Sequence, residues 1–193
     1  MIEFVNNIVE YATNIISDGG IIIGFLVIVL EGVFSVLPLT AFVALNINAF
    51  GWVIGFIISY VASVVGAYFA FFIFRSLTNK FFGRWLIKIN KESINRGLSK
   101  FQHIKFSSLV LIIALPFTPS SIVNLLAGLS NTNKTKYLYA LLIGKIFVIL
   151  FWGFVGKSLI DSMSNFSTLI ILGIMLVLAY AISKYVNKKF NLE

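Results

Sequence analysis

Apolar residues run through this chain in long stretches with few charges. A helix that crosses ~30 Å of hydrocarbon needs ~20 apolar residues. Three stretches qualify: 52–74, 137–156 and 166–183. The first is uncharged, the second carries only Lys145, and the third ends against Lys184.

Two further apolar regions are interrupted. Residues 21–37 contain Glu31 and stop at Pro38, and a second run, 39–50, is dotted with Asn46 and Asn48. Residues 106–115 meet Pro116-Phe117-Thr118-Pro119, and 120–130 follows with Asn124 and Gly128. Most of these pieces are too short to span. Proline removes a backbone donor, and the residue before it avoids the α region. Irregular backbone survives at membrane depth only where protein or water covers it. Each region therefore reads as a re-entrant hairpin of two half-helices, with Pro38 in one turn and Pro116 and Pro119 in the other.

The order is then hairpin, span, basic segment, hairpin, span and one extra span. The expected fold is an all-α membrane protein with an internal two-fold repeat and about three full transmembrane helices. Proline-broken segments at matching places in two halves point to a transporter's binding site. Residues 3–17 place Phe4, Ile8, Tyr11 and Ile15 at helical spacing, which suits an interfacial amphipathic helix. Three units follow: 1–19 at the interface, 20–160 as the membrane domain, and 161–193 as a last helix with a basic tail.

Composition agrees. Of 193 residues, 59% are hydrophobic and 11% charged, and the mean hydropathy is +0.99. Soluble domains are about a quarter charged, so the excess apolar surface needs lipid as its solvent. Residues 1–19 hold no Lys or Arg, so no cleavable signal peptide is expected. With no Cys and one His, His103, there is no thiolate and no cluster for zinc or haem. No cofactor is expected.

The net charge of +8 is uneven, since eight of the fifteen basic residues fall within 75–105. The positive-inside rule places that segment, and the tail with Lys184, Lys188 and Lys189, in the cytoplasm of a plasma-membrane protein. The hairpins then dip from opposite faces, so the repeat is inverted. The rival reading makes 21–45 an ordinary span with a cytoplasmic N-terminus. Lys80, Arg84, Lys88 and Lys91 share a helical face opposite Phe81, Phe82, Trp85, Leu86 and Ile89. That helix either lies on anionic lipid or is a solvated linker. Nucleic acid is not expected as a partner.

Particular residues carry a resemblance. Glu31 and Pro38, then Gly66-Ala67-Tyr68 and Arg75, then the run ALPFTPSSIVNLLAGLS with Pro116, Pro119, Asn124, Ala127 and Gly128, then Gly144-Lys145, Trp152 and Gly156, resemble the VTT (DedA-like) superfamily over roughly 20–160. The pattern looks closest to its branch related to Golgi Tvp membrane proteins. The resemblance implies opposed re-entrant hairpins and lipid handling: phospholipid scrambling in some members, translocation of polyprenyl-phosphate carriers in others. Some members resemble proton-coupled transporters. It marks Glu31 as the acid of the first hairpin and Arg75 as one of the arginines at span boundaries. One departure is Ile113, where relatives commonly carry Arg three residues before the Pro116 position.

Glu31 is the sharpest candidate, because a charge inside a bilayer costs about 2.5–3.5 kcal/mol on insertion scales. It either couples transport to protons or pins a hairpin to a span. Lys145 pairs with Glu31, meets a lipid phosphate, or snorkels to the interface. Arg75 is a boundary anchor or holds a phosphate bidentately. Ser120, Ser121 and Asn124 start a half-helix whose free N–H groups suit an anion, or a serine there is simply an N-cap. Gly66, Gly128, Gly144 and Gly156 permit close helix approach. No paired carboxylates, P-loop or nucleophile motif is present. The expectation is a membrane transporter, not an enzyme, with lipids and protons as partners and an oligomer as an option. A small-solute transporter and a membrane assembly protein are the alternatives.

Overall fold

A computed structural model describes residues 2–34, 38–80, 98–99, 101–130, 132–161 and 166–190. Among them are seven helices: α1 (Ile2–Asp18), α2 (Gly20–Phe34), α3 (Leu39–Lys80), α4 (Phe106–Ala114), α5 (Ser120–Leu129), α6 (Lys134–Asp161) and α7 (Phe166–Phe190). Arg84, Lys88 and Lys91 lie outside the described residues, as does the side chain of Lys80. The expected surface helix therefore falls outside them.

Two helical stretches, Leu39–Ser76 and Lys134–Ile160, are long and apolar enough to cross a membrane. They contain the expected spans 52–74 and 137–156. A third crossing is possible through Val9–Asp18 and Gly20–Phe34, which meet at 114°. Gly20 makes that corner with a φ of 68°.

α3 is two helices fused at a sharp bend. Gly51 has φ 79° and ψ 169°, a region essentially reserved for glycine. A straight helix would separate Asn46 from Ser59 by ~20 Å at 1.5 Å per residue. Instead the Asn46 amide donates to the Ser59 hydroxyl at 3.1 Å. Arm 39–50 thus folds back on arm 52–80, so closely that a Cβ on Gly55 would stand 2.5 Å from the Asn46 carbonyl oxygen.

Arm 39–50 also packs on α2, with the Asn46 amide donating to the Gly24 carbonyl at 3.2 Å. Further along α2, a Cβ on Gly66 would lie 2.6 Å from the Val29 carbonyl oxygen, so α2 and arm 52–80 touch backbone to backbone. The second half also packs through a glycine. Gly144 of α6 presses on α4, where an added Cβ would meet Ile113 Cγ2 at 2.6 Å. The Tyr137 hydroxyl of α6 donates to Asn124 Oδ1 of α5 at 2.5 Å. Asn46 to Ser59 and Asn124 to Tyr137 are both bonds across 13 residues. Pro38 and Pro116, Thr40 and Thr118, Asn46 and Asn124, and Gly66 and Gly144 are each 78 residues apart.

The halves interlock through their second half-helices. Gly128 of α5 sits on arm 52–80, where a Cβ would meet the Phe71 carbonyl at 2.9 Å. Gly156 of α6 sits under Thr40 and Ala44 of arm 39–50. One apolar cluster centres on Phe71, Leu109, Ile112 and Tyr137, the other on Ile28, Val43, Ile47 and Ile149. Val53, Phe69, Phe147 and Val177 stand exposed, as lipid-facing side chains do.

α7 continues beyond the apolar stretch 166–183. The helix runs to Phe190, and Ser183 and Asn187 are buried. The Thr118 hydroxyl donates to Asn187 Oδ1 at 2.9 Å, which gives a polar residue a partner away from water.

Candidate functional site

The two proline turns face each other. Residues 38–40, 115–116 and 118–121 line one cleft of about 260 Å³, together with Glu31, Val148 and Trp152. Glu31 comes from the last turn of α2 and is only 6% exposed. It makes no hydrogen bond or ion pair within the described residues, so its carboxylate has the cleft as its polar surroundings.

Lys145 comes from the middle of α6 and is 1% exposed, so the snorkelling alternative does not describe it. Its ammonium donates to the Ser120 hydroxyl at 3.4 Å. Ser120 links the two charged residues, accepting from Lys145 and lining the cleft with Glu31. Behind Ser120 lies a water-sized cavity of about 10 Å³, which Thr118, Asn124 and Lys145 also line. Thr118 and Ser120 border both spaces.

Ser120 does not cap α5. Pro119 is the N-cap residue and provides no side-chain cap. The Pro119 ring fixes φ, here −63° with an extended ψ of 108°, and the helix begins at once. The first backbone donors bonded within the helix are those of Ile122 and Val123, both to the Pro119 carbonyl. The N–H groups of Ser120 and Ser121 are left at the cleft.

The remaining candidates divide. Pro38, Pro116, Pro119 and Ser121 line the cleft. Asn124 is buried beneath it as a brace: its amide donates to the Gly32 carbonyl at 3.4 Å and its oxygen accepts from Tyr137. Gly128 is a packing position against Phe74 and Phe71. Arg75 does not line the cleft. It donates to the Thr132 carbonyl at 2.8 Å and lies over the Phe71 ring. Ile113 fills the contact with Gly144, one residue before Lys145.

Four participants escaped the sequence reading: Thr40, Thr118, Trp152 as a cleft wall, and Asn187. The shared spacing of Thr40 and Thr118 from their prolines was an available signal. Asn187 had none, because it meets Thr118 across 69 residues.

The VTT domain family model matches residues 37–158. The described uncharacterized membrane protein YhjE of Bacillus subtilis (strain 168) is 32% identical over 171 residues, covering 88% of this chain and 79% of that protein. No solved structure matches. Glu31 precedes the family-matched residues and α7 follows them.

Proposed function

Because the chain belongs to the VTT domain family and is a membrane protein with apolar helices, we propose that it moves lipid head groups across the bilayer. The substrate class is a phospholipid or a lipid-linked phosphate, carried as a transporter or scramblase in the plasma membrane. The observation that carries this reading is the cleft shared by the two proline turns, with Glu31 in its wall and Lys145 behind it.

The two helix–turn–helix units are re-entrant hairpins that dip from opposite faces. The common offset between the proline, threonine, asparagine and glycine pairs supports a repeat, and the basic segment between the halves favours its inversion. The segment 75–105 lies on the cytoplasmic side, as its eight basic residues favour. The branch related to Golgi Tvp proteins is the finer placement, resting on the run ALPFTPSSIVNLLAGLS.

Physically, a head group crossing a bilayer needs polar surroundings where lipid offers none. The cleft supplies them at the point where both half-helix pairs turn, while the acyl chains stay among the exposed apolar side chains. Neither Glu31 nor Lys145 has a counterpart at the matching position of the other half, where Leu109 and Ala67 stand. The scaffold is duplicated and the charges are not. Glu31, without a protein hydrogen bond among the described residues, exchanges its proton with the cleft and couples lipid movement to protons.

Reconstitution into liposomes with labelled lipid tests the reading. Protein-containing vesicles translocate label faster than empty ones; equal rates reject transport. A pH gradient accelerates the wild type and leaves Glu31→Gln unaffected; equal responses remove the coupling role. Uptake of a small solute without lipid movement would favour a solute transporter.

A further inference from the structure

We propose that Ser120 in the cleft wall and Lys145 behind it recognise phosphate and select singly charged phosphate esters over neutral head groups. This rests on the lipid-transport reading and names its substrate chemistry.

An ammonium group has three donors and no acceptor. Lys145 is fully buried, and Ser120 Oγ is its one acceptor among the described residues, at the long end of hydrogen-bond range. A buried cation so short of acceptors is costly unless another acceptor joins it. The void that adjoins it is about 10 Å³, room for one water or one ligand oxygen.

The neighbouring polar groups narrow the choice. Thr118 has committed its proton to Asn187, and Asn124 gives one amide N–H to Gly32 and its oxygen to Tyr137. Ser120 is different: its oxygen accepts from Lys145, so its own O–H is left to donate. A hydroxyl that accepts from a cation becomes a stronger donor. Ser120 and Ser121 also carry the uncapped N–H groups of α5, and both residues line the cleft. The Ser120 hydroxyl and these N–H groups together suit an anionic oxygen.

Charge sets the rest. Lys145 offers one positive charge, and Glu31 faces the cleft as an acid. A dianion would be left with excess negative charge beside Glu31, whereas a phosphodiester is balanced by Lys145 alone. Lys145 thus brings a cation to the second proline turn from α6, next to the Ile113 contact on α4.

The test uses the full chain in liposomes holding labelled phosphatidylglycerol or labelled glucosylceramide. Lys145→Met and Ser120→Ala each lower phosphatidylglycerol translocation about tenfold or more, the scale of one charge-assisted hydrogen bond. Glucosylceramide movement falls by clearly less than phosphatidylglycerol movement, and Lys145→Arg keeps most of the wild-type rate. An equal loss for both lipids, or no loss for either, overturns the proposal. Binding decides it separately from transport. Short-chain phosphatidylglycerol raises the melting temperature of the detergent-solubilised wild type but not of Lys145→Met. Absence of that difference overturns the site even if lipids move. If the shift is present while no lipid moves, the site stands and the transport reading falls. Uptake of radiolabelled inorganic phosphate that Lys145→Met abolishes assigns the same chemistry to free phosphate.

Discussion

Asn124 on α5 donates its side-chain amide to the Gly32 carbonyl on α2 at 3.4 Å, joining the half-helix after the second proline turn to the one before the first. The same side chain accepts from Tyr137 at 2.5 Å. Both asparagine and tyrosine are buried, so neither can turn to water when the other is lost. Tyr137→Phe leaves Asn124 Oδ1 unpaired and costs about 1–3 kcal/mol. Asn124→Ala loses both bonds and leaves a void, so it costs more. Thermal unfolding in detergent measures both. A double variant no less stable than Asn124→Ala would fit one shared network; full additivity would contradict it.

Gly51 gives a cleaner test of backbone than of packing. Its φ of 79° and ψ of 169° suit glycine, and an added Cβ would meet nothing within 4 Å. Gly51→Ala therefore adds strain without a clash, about 1–3 kcal/mol. Gly66→Ala does the reverse. A Cβ there stands 2.6 Å from the Val29 carbonyl, so α2 must move off α3. That separation shifts Glu31, the residue before Gly32, so Gly66→Ala lowers transport as well as stability. Gly51→Ala is expected to lower stability first. Parallel melting and liposome assays distinguish the two.

What the sequence disclosed was chiefly what single residues impose. Proline stops a helix wherever it stands, so the turns at Pro38 and at Pro116 and Pro119 were legible. The breaks around Phe50 and Trp52 were legible as an edge between two apolar runs, though the glycine that makes the bend was not singled out. Which helices meet was hidden, because α4 packs on α6 and α5 on α3 through glycines whose partners are dozens of residues away. The direction of long side chains was hidden too. Lys145 is placed alike by hydropathy whether it snorkels or points inward, and only the space beside Ser120 decides. Arg75 found a backbone carbonyl at Thr132 that no pattern announces.

Glu31 and Lys145 make a joint prediction for stability. Both are buried, and Ser120, which accepts from Lys145, lines the cleft with Glu31. Replacing both members of a buried ion pair by apolar side chains is often neutral or stabilising, whereas removing one leaves the other charge buried. Lys145→Met alone therefore lowers the melting temperature, by leaving the Glu31 carboxylate without a nearby cation, and lowers transport of phosphate esters. Glu31→Gln removes the nearby negative charge and leaves the ammonium buried, so it destabilises by roughly 1–2 kcal/mol, less than a contacting buried pair would lose. Adding Lys145→Met to Glu31→Gln restores the loss. A stabilised Glu31→Gln protein would mean that the two groups do not sense each other.

Asn187 extends the site beyond the family-matched residues. It accepts from the Thr118 hydroxyl at 2.9 Å, and Tyr180 on the same helix contacts the Phe117 ring edge-on at 5.7 Å. Phe117 in turn touches Trp152, a wall of the cleft. α7 thus holds two consecutive residues of the second proline turn, and the turn carries Ser120 to Lys145. Asn187→Leu keeps the bulk, removes the acceptor and leaves the buried Thr118 hydroxyl without its partner, at a cost of about 1–3 kcal/mol. Its transport falls because the turn loses position, not because a ligand contact is lost. Thr118→Val should then produce a similar loss, and the double variant little more than either alone. A transport rate untouched by Asn187→Leu would make α7 a bystander to the cleft.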